Sequence, residues 1–239
     1  MAKVQWNKVT WYSKLIALVI FVIFPFVGFF WGVHFGQLIE IAKQAKQAGA
    51  NTSYTPPIPE YYTNPSEWQA DRNNAGGYSI LYPIDFQATY SYSPSPTTNW
   101  SLRSAGEPGI QYLTLVIPKA FQPQTNFDEA TLVIGSSRTI AALKDCLAPG
   151  VVANPGDATS TRVINGTPFS VYHFTGAGAG NYYETTSYRT THAGQCYSLE
   201  YTIHSSQIAN YPQSYNLHQF DDHEVNTVME RIVGTFTFL

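Results

Sequence analysis

An uncharged, strongly apolar run near the N-terminus constrains this chain more than any other feature. Between Leu15 and Val33 there is no charged or strongly polar side chain, and the uncharged run continues to Ile39. About 18 or more apolar residues can cross a bilayer as a helix, and Trp11 and Trp31 stand near the two ends, where aromatic anchors are enriched. The sequence therefore predicts a transmembrane helix between Leu15 and Gln37.

The distribution of charge around this run predicts its orientation. Residues 1–50 carry five basic side chains and one acidic side chain, whereas residues 51–239 carry eight basic and 15 acidic ones. Basic residues favour the cytoplasmic side of a membrane. We therefore expect residues 1–14 to form a short cytoplasmic tail and the C-terminal part to lie outside the cell membrane. A cleaved signal peptide and a buried core helix are the alternatives.

The composition excludes two broad classes of protein. Charged residues make up 12% of the chain and aromatic residues 15%. Disordered chains have high net charge and few aromatic residues, and nucleic-acid binders carry basic patches. We therefore expect a folded protein with no nucleic-acid partner.

The rest of the chain divides into a helix extension, a linker and one domain. Residues 38–50 are predicted to continue the helix, and the proline-rich residues 51–77 to form an extended linker. From Tyr78 onward, apolar and polar residues alternate with the period of two that is typical of strands, as in QCYSLEYTI. Asn165-Gly166 predicts a tight hairpin, and residues 176–181 predict a looser one.

Two helices are predicted within this domain. The first covers about residues 138–147, with Ile140, Leu143 and Leu147 on one apolar stripe. The second begins after Asp221, which is a good N-cap because Glu224 follows three residues later. Strands with few helices indicate a single α+β domain over residues 78–239.

The chain has two cysteines, Cys146 and Cys196. A domain that lies outside the cytoplasm is in an oxidising environment, so the pair suggests a disulfide. Two free, buried cysteines are the alternative. A catalytic cysteine acting with His173, His192 or His204 is a weaker alternative, because no local nucleophile signature accompanies either cysteine.

Short motifs along the domain form a recognisable order. They are YSILYPIDF, GIQYLTLVIP, NFDEATLVIG, INGTPFSVYHF, QCYSLEYTI and TFTFL. This order resembles the PsbP-like (Mog1/PsbP) domain, as carried by bacterial single-pass membrane-anchored proteins. The resemblance implies an antiparallel sheet flanked by helices in an α/β/α sandwich. It also implies a binding or accessory role with no shared active site, and no cofactor is predicted.

Two groups of side chains are candidates for a site. His218, Asp221, Asp222 and His223 are weak candidates for metal ligands, because the spacing matches no EF-hand, no HExxH motif is present, and a solvated helix N-terminus is the favoured explanation. The candidate binding residues are tyrosines, because a tyrosine side chain is apolar at one end and forms hydrogen bonds at the other. They are Tyr182, Tyr183, Tyr211 and Tyr215.

These observations favour a membrane-anchored extracytoplasmic domain that binds or scaffolds an envelope protein or glycan and is not an enzyme. The alternatives are a pilin-like or secretion-system subunit and a hydrolase or metal-dependent enzyme of the cell envelope. Because the sequence contains no catalytic motif, no catalytic residue is predicted.

Overall fold

The computed structural model describes residues 11–14, 18, 20–21, 26, 29, 59–91, 94–95, 100–102, 107–148 and 160–239. The chain divides into two units, Met1–Thr52 and Ser53–Leu239. In the first unit the described residues are helical. Most of the predicted membrane span, the predicted helix extension at 38–50 and the beginning of the predicted linker lie outside the described residues. Among the helices that are described, none combines the length and apolar character needed to cross a bilayer.

The second unit is built mainly of strands. Their bounds are β1 Gln69–Asn73, β2 Tyr78–Tyr82, β3 Gln87–Tyr90, β4 Pro94–Ser95, β5 Gly109–Pro118, β6 Phe127–Ser137, β7 Ser160–Ile164, β8 Thr167–Gly178, β9 Asn181–His192, β10 Gln195–Ser206 and β11 Thr237–Phe238. The described α-helices of this unit are α1 Ile140–Asp145 and α2 Asp222–Gly234, and short 3-10 turns cover Glu60–Thr63 and Pro65–Glu67. The unit is an α+β fold dominated by antiparallel strands, as the sequence predicts.

The strands form two antiparallel sheets. The large sheet has the order β3-β5-β6-β10-β9-β8-β7, with β4 paired to β5, and the small sheet has the order β1-β2-β11. One face of the large sheet carries Leu115, Leu132 and Leu199, and it packs in one hydrophobic cluster with α2 and the small sheet. We call this the core face. The opposite face carries Cys196, Ser198 and Glu200, and we call it the disulfide face.

Three tight turns hold the hairpins of the large sheet. Asn165-Gly166, Ala179-Gly180 and Ala193-Gly194 each have positive φ at both positions, as a type I′ turn requires. The first turn is the one that the sequence predicts. The loose loop expected at residues 176–181 is wrong, because β8 runs to Gly178 and β9 begins at Asn181. The glycine-rich segment is therefore part of the paired strands, and only Ala179 and Gly180 form the turn.

The two predicted helices differ in how well they match the structure. In α2, Asp221 Oδ1 accepts a hydrogen bond from the Glu224 N–H at 3.2 Å, which confirms the predicted cap. The first helix is shorter than predicted, and its apolar stripe is wrong, since Ile140 is 87% exposed. Instead, Ala142 packs beside Trp100 and the two cysteines. A small side chain and a covalent bond therefore hold this helix, in place of the predicted aliphatic stripe.

The predicted linker, residues 51–77, also differs from the structure over its second half. Residues 69–73 form β1, which pairs with β2 in full register. Trp68 is buried, and its Nε1 donates a hydrogen bond to the Tyr61 carbonyl oxygen at 2.8 Å. The prolines at 59 and 65 precede one-turn 3-10 segments or begin them, so this stretch belongs to the folded unit.

Candidate functional site

The four candidate tyrosines lie around one end of the large sheet, where β8 turns into β9 and the chain leaves β10. Gln207 N–H donates a hydrogen bond to the Gly180 carbonyl oxygen at 2.7 Å, which ties the segment after β10 to the turn. The Asn210 side chain packs against Gly180, where any side chain on residue 180 would stand. We call this region the tyrosine end and define it by Tyr182, Tyr183, Tyr211 and Tyr215.

The rings at the tyrosine end are accessible and partly fixed. Tyr182, Tyr183 and Tyr215 are 42%, 40% and 62% exposed. The rings of Tyr211 and Tyr215 lie 6.2 Å apart, while Tyr183 stacks on His204 with centroids 4.6 Å apart. Tyr182 and Tyr183 are neighbours in β9 and point to opposite faces of the sheet.

A small group of charged side chains borders the same end. Lys119 Nζ lies 3.2 Å from Asp128 Oδ1, Ser206 Oγ donates a hydrogen bond to Asp128, and His204 Nε2 lies 3.8 Å from Asp128 Oδ2. Burial alone would raise the pKa of Asp128, but the hydrogen bonds from Ser206 and Lys119 and the charges of Lys119 and His204 hold that pKa below its usual range.

Two of the weak metal candidates, Asp221 and His218, have structural roles in this fold. Asp221 caps α2, while the His218 backbone pairs with Gln124 and Asn126. Gln122 fixes the start of the helix, because its side chain accepts from the Asp221 N–H and donates to Glu224. Across the part of the chain that the structure describes, no group of three histidine, cysteine or acidic side chains is placed to hold a metal ion.

A second candidate is a groove of about 520 Å³ along the exposed side of α2. Its lining is made of Pro65, Arg162, His223, Asn226, Thr227, Glu230, Arg231, Gly234 and Thr235. Both guanidinium groups already have partners, since Arg162 pairs with Glu230 and Arg231 donates to the Thr63 carbonyl oxygen. Any anion that entered the groove would have to compete with these internal bonds.

The polar floor of this groove joins α2 to the sheet. Tyr201 Oη lies 2.7 Å from Glu230 Oε1 and 3.0 Å from Asn226 Oδ1, and Tyr188 Oη also donates to Glu230. Burial is the main cause that raises the pKa of Tyr201 to about 12, and burial raises the pKa of Tyr188 against the opposing charge of Arg162. Both hydroxyls therefore stay protonated and donate hydrogen bonds, so their role is to hold α2 against the large sheet.

The sequence interpretation missed an ion pair beneath the disulfide face. Arg189 Nη2 lies 3.2 Å from Glu200 Oε1, and both side chains are buried. Ser187 Oγ donates to Glu200 at 2.7 Å, and the Arg189 guanidinium carbon lies 4.9 Å from the Tyr172 ring centroid. The sequence signal is a charged residue in a strand with few other charges, Arg189 in β9 and Glu200 in β10, but their pairing depends on the Ala193-Gly194 turn, which the sequence alone does not predict.

Comparison with known proteins assigns neither a family nor a function to this chain. No protein-family model matches it, and no curated protein matches it. Among solved structures it is similar to LpqN of Mycobacterium tuberculosis, which is involved in cell envelope biogenesis. The sequence identity is 15%, the match covers 67% of this chain and 82% of that chain, and the TM-score is 0.29. A likeness of this size assigns no function.

Proposed function

We propose that this chain is a single-pass membrane protein whose folded unit lies outside the cell membrane and binds an envelope partner without catalysing a reaction. The uncharged run between Leu15 and Gln37 and the basic N-terminal segment support the anchor and its orientation. The sulfur atoms of Cys146 and Cys196 lie 2.11 Å apart, at disulfide distance, which fits an oxidising compartment.

One observation carries the binding role: several tyrosine rings remain accessible at one end of a unit whose other large aromatic side chains are mostly buried. Tyr78, Tyr112, Tyr172, Phe127, Phe169 and Phe236 are all fully buried. Exposed tyrosines are favoured at binding surfaces because they offer a rigid contact area that loses little conformational entropy. The tyrosine end is therefore the surface that we assign to the partner.

We also propose that the folded unit is a PsbP-like domain. The supporting features are the antiparallel large sheet, the C-terminal helix α2 packed on one of its faces, and α1 on the other. Members of this fold family are generally binding or accessory proteins, which agrees with the proposed binding role by analogy alone.

A site-specific photo-crosslinker in native membranes tests the binding role. The full-length chain would carry p-benzoylphenylalanine in place of Tyr215, and in a matched variant in place of Val163. Val163 is 66% exposed but lies in β7, beside the turn at the opposite end of the large sheet. We expect a crosslinked adduct from position 215 and none from position 163.

Two results would contradict the proposal. One is the absence of any adduct from position 215 in native membranes. The other is an adduct from position 163 that matches the adduct from position 215, because the partner would then show no preference for the tyrosine end.

A further inference from the structure

The ring of Tyr183 has one covered face and one open side. In the register of β8, β9 and β10, Tyr183 lies between Gly176 and His204, and all three belong to the disulfide face. The His204 ring covers one side of the tyrosine ring, with an interplanar angle of 10°. Gly176 has no side chain, and a Cβ built there would meet only Tyr183 Cβ, at 3.8 Å. Among the residues that the structure describes, none therefore fills the sheet surface beside the ring.

The tyrosine ring is held in position before any ligand arrives. His204 Nε2 donates a hydrogen bond to Asn181 Oδ1 at 2.8 Å, which fixes the imidazole ring against which Tyr183 stacks. Tyr183 is itself in the middle of three hydrogen-bonded strands. A surface fixed in this way avoids much of the ordering cost that binding otherwise carries.

Uncharged polar groups lie next to the ring. Thr185 and Thr202 face each other across β9 and β10, with their hydroxyl oxygens 2.8 Å apart, and they share the disulfide face with Tyr183. The Asn181 amide lies on the other side of Tyr183 along the same strand. An accessible aromatic ring bordered by hydroxyl and amide groups matches a sugar ring, which presents C–H groups on its face and hydroxyls at its rim.

We infer that this part of the tyrosine end binds a glycan, with a sugar ring placed over Gly176 against the open side of Tyr183. This inference rests on the proposed function, because it names the ligand class for the same end of the folded unit. The charges nearby argue against a polyanionic ligand. Asp128 and Glu129 lie beside His204, and Lys119 is paired with Asp128, whereas phosphate backbones are bound by basic surfaces.

Binding to immobilised polysaccharides tests the inference. The probes are peptidoglycan sacculi in a sedimentation assay, and biotinylated mannan, arabinogalactan and dextran in biolayer interferometry, with the full-length chain in detergent. We expect saturable binding to at least one of them. Tyr183→Ala removes the ring, and Gly176→Val fills the space beside it, so each should weaken that binding about tenfold or more.

The opposite face of the same hairpin supplies a matched control. Ala177→Val enlarges a neighbouring small residue that points to the core face, and binding should stay within about twofold of the wild-type value. Tyr183→Trp should retain binding because it keeps an aromatic ring. Thermal unfolding of each variant identifies any loss that comes from misfolding, and Gly176→Val provides a second route to the same answer because the position has room for a side chain.

Three results would overturn the inference. They are the absence of binding to every polysaccharide, an equal loss with Ala177→Val, and unchanged binding with both Tyr183→Ala and Gly176→Val. If, in addition, the photo-crosslinker captures a protein at the tyrosine end, the proposed binding role stands while the glycan inference fails. The two claims can therefore be separated.

Discussion

The two faces of the large sheet are buried by different means, and strand β10 shows the contrast within one pair of residues. Leu199 points to the core face and is surrounded by apolar side chains beneath α2 and the small sheet. Glu200 points to the disulfide face and is buried against Arg189, Ser187 and the Leu102 N–H, which lies 2.5 Å from Glu200 Oε2. The core face therefore depends on apolar area, whereas the disulfide face depends on specific partners.

This difference predicts which substitutions the folded unit tolerates. Apolar contacts are non-directional, so a core can absorb changes of shape at moderate cost. A buried charge is costly unless its partner remains in place. We therefore expect conservative substitutions to be tolerated on the core face and single deletions on the disulfide face to be severe.

The largest expected effect comes from breaking the buried ion pair. Glu200→Ala removes the Glu200 carboxylate from the buried Arg189 guanidinium and should lower the free energy of unfolding by about 3–5 kcal/mol. Leu199→Ala on the core face should cost about 2–5 kcal/mol, toward the lower part of that range if the cluster closes around the gap. Urea unfolding followed by far-UV circular dichroism measures both.

A double substitution sharpens the contrast between the faces. Arg189→Met combined with Glu200→Leu removes both charges together and should recover most of the stability that Glu200→Ala loses. If the double variant is less stable than Glu200→Ala, specific polar partners are not what makes this face sensitive.

Reduction of the disulfide should have the next largest effect. The bond joins residues 50 positions apart, and removing such a link typically costs about 2–4 kcal/mol. The Cys146→Ser, Cys196→Ser double variant should match the reduced wild-type protein in its urea midpoint. A midpoint that does not change on reduction would show that the link contributes nothing to this face.

A glycine contact on the disulfide face should have a smaller effect. A Cβ at Gly135 would lie 2.6 Å from the Trp100 carbonyl oxygen, so Gly135→Ala should displace this backbone and cost about 1–3 kcal/mol. Gly178→Ala is the matched control, since no atom of the described residues lies within 4 Å of its Cβ position. Equal melting temperatures for the two variants would contradict the close contact of Trp100 with the sheet.

The smallest expected effect is the pH dependence contributed by Asp128. Because the pKa of Asp128 is lowered in the folded state, its contribution is present above the unfolded pKa of about 3.9 and is lost as the pH falls through the folded value. Asp128→Asn should therefore reduce the acid-induced loss of stability below about pH 4 by less than about 1 kcal/mol. Urea titrations of the wild-type protein and of Asp128→Asn at pH 3 and pH 7 measure this difference. An equal change in the free energy of unfolding between the two pH values in both proteins would contradict the prediction.

Local patterns in the sequence predict much of the core face and little of the disulfide face. The α2 cap, the buried stripe of α2 and the alternation in β10 follow from spacing alone, because a single element carries each pattern. The Arg189–Glu200 pair depends on the register of β9 and β10. A slip of one residue in either strand would place its side chains on the opposite face of the sheet and separate the pair. The short α1 is a similar case, since its position depends on the distant Cys196.

The candidate site could be predicted in its residue types but not in its arrangement. Tyrosines in loops and at strand ends suggested a contact surface. The stacking of Tyr183 on His204 and the empty position at Gly176 result from the pairing of three strands. Residues 182 and 183 looked equivalent in the sequence, yet the pleat of β9 sends them to opposite faces of the sheet.

Thiol labelling in intact cells tests the central claim most directly. Cys146 and Cys196 are joined in a disulfide and do not react with a maleimide, so any labelling comes from a new cysteine. A cysteine at the exposed Thr175 reports the location of the folded unit, and a cysteine replacing Asn7 reports the location of the predicted cytoplasmic tail. A membrane-impermeant maleimide should label Thr175→Cys in intact cells, and should label Asn7→Cys only after the cells are permeabilised. Labelling of Thr175→Cys only after permeabilisation would contradict a binding domain that lies outside the cell membrane.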